Sequence, residues 1–148
     1  LKQKYIDMYM DWAERAADLS HAKRLQVGAV IVKDDSVISY GYNGMPAGWD
    51  NNCEFEFVHP QTKIPELVTN KEVLHAESNA IAKLARSSQS GRDASVFITH
   101  APCLDCAKLI YQSGISSVYY RNSYRDVAGL EFLEKSGVAV KQITQINT

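Results

Sequence analysis

The chain's 148 residues set 16 Lys and Arg against 17 Asp and Glu, a formal net charge of −1, and 45% of them are apolar. That balance supplies the core of one domain, expected to span residues 1–148, and excludes a disordered chain. It also excludes a basic surface built to coat long nucleic acid, and no apolar run approaches the roughly 20 residues of a membrane span.

In chain order, residues 2–19 predict an amphipathic helix. Tyr5, Met8, Tyr9, Trp12, Ala16 and Leu19 recur at three- and four-residue steps, a stripe that reads as core rather than interface. VGAVIV at 27–32 is a continuous apolar run, as expected of a strand buried on both faces. Lys33, Asp34 and Asp35 make a polar turn, and 36–42 read as the returning strand of a hairpin. From 43 to about 71 regularity stops, in a stretch rich in Gly, Pro and Asn. A loop of that length is expected to be functional or tethered.

Order then returns. Ala76, Ala80, Ile81, Leu84 and Ala85 share a helical face, and 96–99 form a strand. A helix over 103–113 stops at Gly114, a strand covers 115–120, a helix over 126–136 stops at Gly137, and 138–143 close the chain as a strand. A hairpin followed by helix–strand crossovers predicts an α/β fold, a mixed sheet of about five strands with helices on both faces.

Three cysteines, an odd number, make no disulfide framework in a chain of this size. Cys103 and Cys106 have a spacing that suits metal binding or redox chemistry in a reducing compartment, so the chain reads as cytoplasmic, and no signal peptide is expected at Leu1. Two motifs carry the chemistry: His75-Ala76-Glu77 and Pro102-Cys103-Leu104-Asp105-Cys106, each at the start of a predicted helix. Residues i and i+3 of a helix are neighbours, and the positive end of the helix dipole favours thiolates. One His and two Cys leave the fourth tetrahedral position open, as a catalytic zinc requires. Glu77 is then free to carry protons beside a zinc-activated water, whose pKa falls to about 7. The pairing of H-x-E with P-C-x-x-C is that of the zinc nucleobase deaminases, whose water attacks C4 of a cytosine ring.

Beyond these shared motifs, the chain resembles the deoxycytidylate (dCMP) deaminases over most of its length. The resemblance rests on QVGAVIV at 26–32, GYNGMPAG at 41–48, His75-Ala76-Glu77 with Asn79-Ala80-Ile81, and Pro102-Cys103 through Cys106-Ala107-Lys108-Leu109-Ile110. GYNGMPAG is the narrower marker, similar to the loop with which that family binds substrate and regulatory nucleotides. In size the chain is nearest the small viral members. The resemblance implies a cytidine-deaminase-like three-layer α/β/α fold and a zinc-dependent conversion of dCMP to dUMP for thymidylate synthesis. It also implies a homohexamer activated by dCTP and inhibited by dTTP, with magnesium accompanying the regulatory nucleotide.

For single residues, it implies zinc ligation by His75, Cys103 and Cys106, proton transfer by Glu77, and substrate contacts from Asn43, Ala76 and Tyr124. Lys23 and Arg24 are candidates for the substrate phosphate, and Arg121 and Arg125 are weaker ones. Gly44, Pro46, Ala47, Gly48, Asp50 and Asn51 or Asn52 would form the regulatory nucleotide site, with Trp49 stacked on a base or held at a subunit contact. Some phage relatives hold a second, structural zinc, for which His21, Cys53, His59 and Glu72 are the candidates here. His100 stands where relatives carry an apolar residue, and is read as a hydrogen-bonded structural His rather than a ligand. Two alternatives remain open: a zinc deaminase of free cytidine, deoxycytidine or a tRNA base, and a catalytically silent zinc-binding assembly protein. A redox CxxC protein would leave the HAE motif unexplained.

Overall fold

The computed structural model describes residues 1–144, so the last four residues of the expected domain lie outside it. The elements are α1 (Gln3–Ala17), β1 (Gly28–Lys33), β2 (Ser36–Tyr42), β3 (Glu54–Val58), β4 (Pro65–Thr69), α2 (Ala76–Ala85), β5 (Ser95–His100), α3 (Leu104–Gln112), β6 (Ser117–Asn122), α4 (Ala128–Lys135) and β7 (Ala139–Gln142). Five strands form one sheet in the order β2-β1-β5-β6-β7. β1 runs antiparallel to both β2 and β5, whereas β5, β6 and β7 are parallel, so the sheet is mixed as expected.

Alternation along β1 explains the three layers. Ala29 and Ile31 point to one face, where they meet Ala80 and Leu84 of α2, Ile110 of α3 and Leu133 of α4. Val30 and Val32 point to the other, where Phe97, Ile6, Tyr9, Met10 and Ala13 close a second core under α1. Both faces of the central strands are therefore dry, which is why VGAVIV shows no period of two.

The face that α1 buries differs from the expected one. Ile6, Tyr9, Met10, Ala13, Ala16 and Ala17 are buried, while Tyr5, Met8, Trp12 and Leu19 are exposed. The reason is close approach. Any Cβ at Gly28 would collide with the Ala13 carbonyl oxygen, so α1 lies on β1 at a distance only small residues allow. The alanines turn inward together with Ile6, Tyr9 and Met10, so Tyr9 and Ala16 of the expected stripe are buried and its other members stay outside. Arg121 of β6 fastens α1 to the sheet, pairing with Asp11 at 3.6 Å and Glu14 at 3.4 Å.

The expected irregular loop is also corrected. It contains the antiparallel hairpin β3–β4, a separate two-stranded sheet with Glu54 opposite Thr69 and Val58 opposite Pro65. Phe55, Phe57, Val58, Ile64 and Leu67 are exposed along it. The hairpin is held at its base, where Asn70 donates its backbone N–H to the Cys53 carbonyl at 2.7 Å and its side-chain amide to the Asn52 carbonyl at 2.8 Å.

The helix that begins after His75 is seated on β2. Asn79 Nδ2 donates to the Tyr42 carbonyl at 2.9 Å, and Ser39 Oγ donates to the Ala80 carbonyl at 2.7 Å. Gly41 lies beneath the first turn of α2, where a Cβ would run into the Ala76 carbonyl oxygen. Overpacking of this kind costs about 1–3 kcal/mol. Gly41→Ala should therefore lower the melting temperature by roughly 5–10 °C and reduce bound metal with it, as followed by thermal denaturation and metal analysis.

Candidate active site

Two helices start at the same point in space. His75 immediately precedes α2 and Cys103 immediately precedes α3, both with extended backbone. The Cys103 thiol caps its helix, accepting the Cys106 N–H at 3.5 Å, which turns its sulfur toward the helix axis. His75 makes no capping bond with its side chain, and its ring is left for the thiols. Its Nδ1 is 3.5 Å from Cys103 Sγ and 3.4 Å from Cys106 Sγ, and the three potential ligand atoms all lie within 4.8 Å of one another. Ligands at zinc–sulfur and zinc–nitrogen bond lengths, across a tetrahedral angle, stand about 3.5 Å apart. The triad therefore fits zinc, and among the described residues it is the one group of three or more such side chains drawn together.

Protonation follows from this crowding. The hydrogen bond between the thiols, followed by that from His75, draws Cys103 down to about 4. The same sharing, with burial added, pushes Cys106 up, and the bond to Cys103 raises His75. Glu77 is 5% exposed, and burial pushes its carboxyl up to about 7.

His75 and Cys103 of the triad border, with Glu77, a cavity of about 400 Å³, and Cys106 lies buried behind them. His75, Ala76, Glu77 and Cys103 line its floor, together with Asn43, Arg24, Tyr124 and Arg125 from the expected candidates. The Asn43 amide is held on both sides, donating to the Leu25 carbonyl and accepting from the Val27 N–H, each at 2.8 Å. Arg24 Nη1 donates to Thr69 Oγ1 at 3.2 Å. His100 also lines the cavity, its Nδ1 lying 2.9 Å from Thr99 Oγ1, and burial lowers its pKa.

Other candidates lie elsewhere. The Lys23 side chain does not border the cavity, and Arg121 is occupied by α1. Gly44 forms a two-way backbone bridge with Leu74, at 3.1 and 2.8 Å, while Pro46, Ala47, Gly48, Trp49, Asp50 and Asn51 follow on a turn outside the cavity. The Trp49 ring is exposed, and Asp50 Oδ1 caps the Asn52 N–H at 2.7 Å. His21, Cys53, His59 and Glu72 are not gathered into a group: Cys53 is buried with its thiol 3.6 Å from the Asn51 carbonyl, whereas His21 and His59 are exposed, His59 at the tip of the hairpin. Sequence reasoning missed Glu54, Thr69 and Val73 in the cavity wall. The alternating EFEFV at 54–58 was the available signal for their strand, though not for their place.

Comparison with known proteins agrees with the geometry. The family model described as "Cytidine and deoxycytidylate deaminase zinc-binding region" matches residues 2–122. ComE operon protein 2 of Bacillus subtilis (strain 168) is 36% identical over 129 residues, covering 84% of this chain and 63% of that protein. This chain thus spans less than two thirds of that relative. The deoxycytidylate deaminase of Enterobacteria phage T4 is 33% identical over 156 residues, covering 82% of this chain and 81% of its own length. A crystal structure of the dCMP deaminase from cyanophage S-TIM5, in complex with dCMP and dUMP, superposes with a TM-score of 0.85 at 40% identity, covering 97% of this chain and 99% of that one. The chain belongs to the cytidine and deoxycytidylate deaminase family. Its fold is the three-layer fold of that family, and no described helix is long and apolar enough to cross a membrane.

Zinc binding should release protons, because the raised Cys106 thiol must give up its proton to become a ligand. Affinity is therefore expected to fall as pH falls, measurable by calorimetry in buffers of different ionisation enthalpy. His75→Ala and Cys103→Ala should each abolish stoichiometric zinc.

Proposed function

We propose that this chain deaminates dCMP to dUMP, with water consumed and ammonia released. The observation that carries the reading is Glu77 buried beside the His75–Cys103–Cys106 triad in the cavity whose wall includes Arg24 and Arg125. The ligand complex of the cyanophage relative supports the same substrate.

Zinc, when held by the triad, supplies Lewis-acid activation of water at neutral pH. The rest is the work of the chain. Glu77 takes a proton from the attacking water, delivers it to N3 of the ring, and returns a proton to the departing amino nitrogen. A buried carboxyl in the cavity wall beside His75 is placed both to accept and to donate these protons. Arg24 and Arg125 suit the 5′-phosphate, since a guanidinium presents paired donors to two phosphate oxygens. Tyr124, on the same wall, suits stacking on the base, with Asn43 and Ala76 shaping the pocket.

Regulation belongs to the same proposal. dCTP as activator and dTTP as inhibitor, each with magnesium, act at the turn around Gly44–Asn51. The bridge from Gly44 to Leu74 supports this, because Leu74 adjoins the ligand His75. Exposed Trp12, Trp49, Phe55 and Phe57 support assembly into a hexamer. Free cysteines at 53, 103 and 106 suit a reducing cytoplasm.

Ultraviolet absorbance of dCMP tests the reading. Loss of absorbance should accelerate with dCTP and slow with dTTP, while Glu77→Gln keeps zinc and loses roughly 10³-fold in kcat. Arg24→Ala should raise KM for dCMP about tenfold and leave deoxycytidine turnover unchanged. Zinc-loaded protein that leaves dCMP intact under every condition overturns the proposal.

A further inference from the structure

Glu54 opens β3 and is 3% exposed. One oxygen, Oε2, accepts two backbone N–H groups, from Lys23 at 2.8 Å and Arg24 at 3.0 Å. The other, Oε1, is buried and has no hydrogen-bond partner. Neither neighbouring cation serves it, since the Arg24 guanidinium is turned to Thr69 and the Lys23 side chain is exposed. Nor is Glu54 part of the metal-binding group. Yet the residue lines the same cavity as His75 and Glu77. A buried acceptor left unpaired is costly, so a donor is expected to meet it when the site is filled.

We propose that Glu54 recognises the sugar 3′-hydroxyl of the nucleotide. The inference rests on the dCMP reading and deepens it. dCMP offers few donors: the amino group on C4 and the 3′-hydroxyl, while its phosphate dianion only accepts. The amino group is the reacting group and belongs beside Glu77. The 3′-hydroxyl remains for Glu54, whose contact with the Arg24 backbone sets a sugar-binding group next to a phosphate-binding one. A nucleotide esterified at its 3′ oxygen would bring no donor and would press a negative phosphate toward a carboxylate. Glu54 thereby confines the site to free mononucleotides and rejects the interior of a polynucleotide strand.

The test compares dCMP with 2′,3′-dideoxycytidine 5′-monophosphate on the zinc-loaded protein and on Glu54→Gln. In that variant the side-chain carbonyl still accepts from Lys23 and Arg24, and only the free acceptor is exchanged for an amide N–H₂. The unchanged protein should lose roughly 10- to 100-fold in kcat/KM when the 3′-hydroxyl is removed. Glu54→Gln should lose part of that factor on dCMP, since its amide makes only a neutral bond to the hydroxyl oxygen, and should distinguish the two nucleotides less than the unchanged protein does. Equal turnover of the two nucleotides by the unchanged protein overturns the inference, as do losses that multiply when both groups are removed. The comparison on the unchanged protein decides the matter even where the variant fails to fold. Zinc-loaded protein inert toward dCMP overturns the substrate reading itself, which separates the two failures.

Discussion

The meeting of two helix N-termini governs this molecule. It brings the side chains of His75, Cys103 and Cys106 within 4.8 Å of one another and sets Glu77 in the same cavity wall as His75 and Cys103. Convergence is achieved by the sheet. β2 carries α2 through Tyr42, Ser39 and Gly41, and β5 leads directly through Ala101 and Pro102 into α3. The approach to Cys103 is held on the far side by β6, where Asn122 donates to the Thr99 carbonyl and accepts the Ala101 N–H through its own carbonyl. Gly129 of α4 completes the clamp, since any Cβ there would strike the Pro102 carbonyl oxygen. A thiolate and a neighbouring helix dipole then favour each other at little cost, because the backbone is already fixed.

Much of this was legible in the chain itself. The five-stranded sheet and the order of helices followed from apolar periodicity and glycine stops, and two short motifs picked out the His75, Cys103 and Cys106 side chains that the fold gathers. Local signals were strong there because core burial and helix ends leave marks on neighbouring residues. The buried face of α1 was not legible, because two stripes overlap on one helix. Apolar spacing favoured Tyr5, Met8 and Trp12 beside Tyr9 and Ala16, whereas contact with Gly28 turns Ala13 and Ala17 inward and leaves the first three exposed. That choice is made by a partner strand outside the helix. The β3–β4 hairpin was hidden for a different reason. Its alternating apolar residues lie in a segment broken by Pro60 and Pro65, and no core face rewards their period.

Glu54 shows the limit of motif reading from the opposite side. Its place in a stretch read as irregular, between Cys53 and Phe55, marks no substrate contact. Its meaning arises from the folded arrangement, in which the hairpin base reaches back to the segment before β1 and brings a carboxylate into the cavity wall. The same contact explains why so exposed a hairpin has a defined direction. Glu54 and Thr69, paired across its first rung, are both tied to the 23–24 backbone or to the Arg24 side chain.

The fastening of α1 by Arg121 has a consequence for synthesis. Glu14 and its partner Arg121 are 107 residues apart in the chain. At translation rates of about 5–20 residues per second, the first helix emerges roughly 5–20 s before the strand that holds it is made. During that interval its alanine face has no complete sheet to cover, and its outer stripe of Tyr5, Met8, Trp12 and Leu19 faces water as well. Docking of α1 on a finished sheet therefore closes the second core only after β6 has been made.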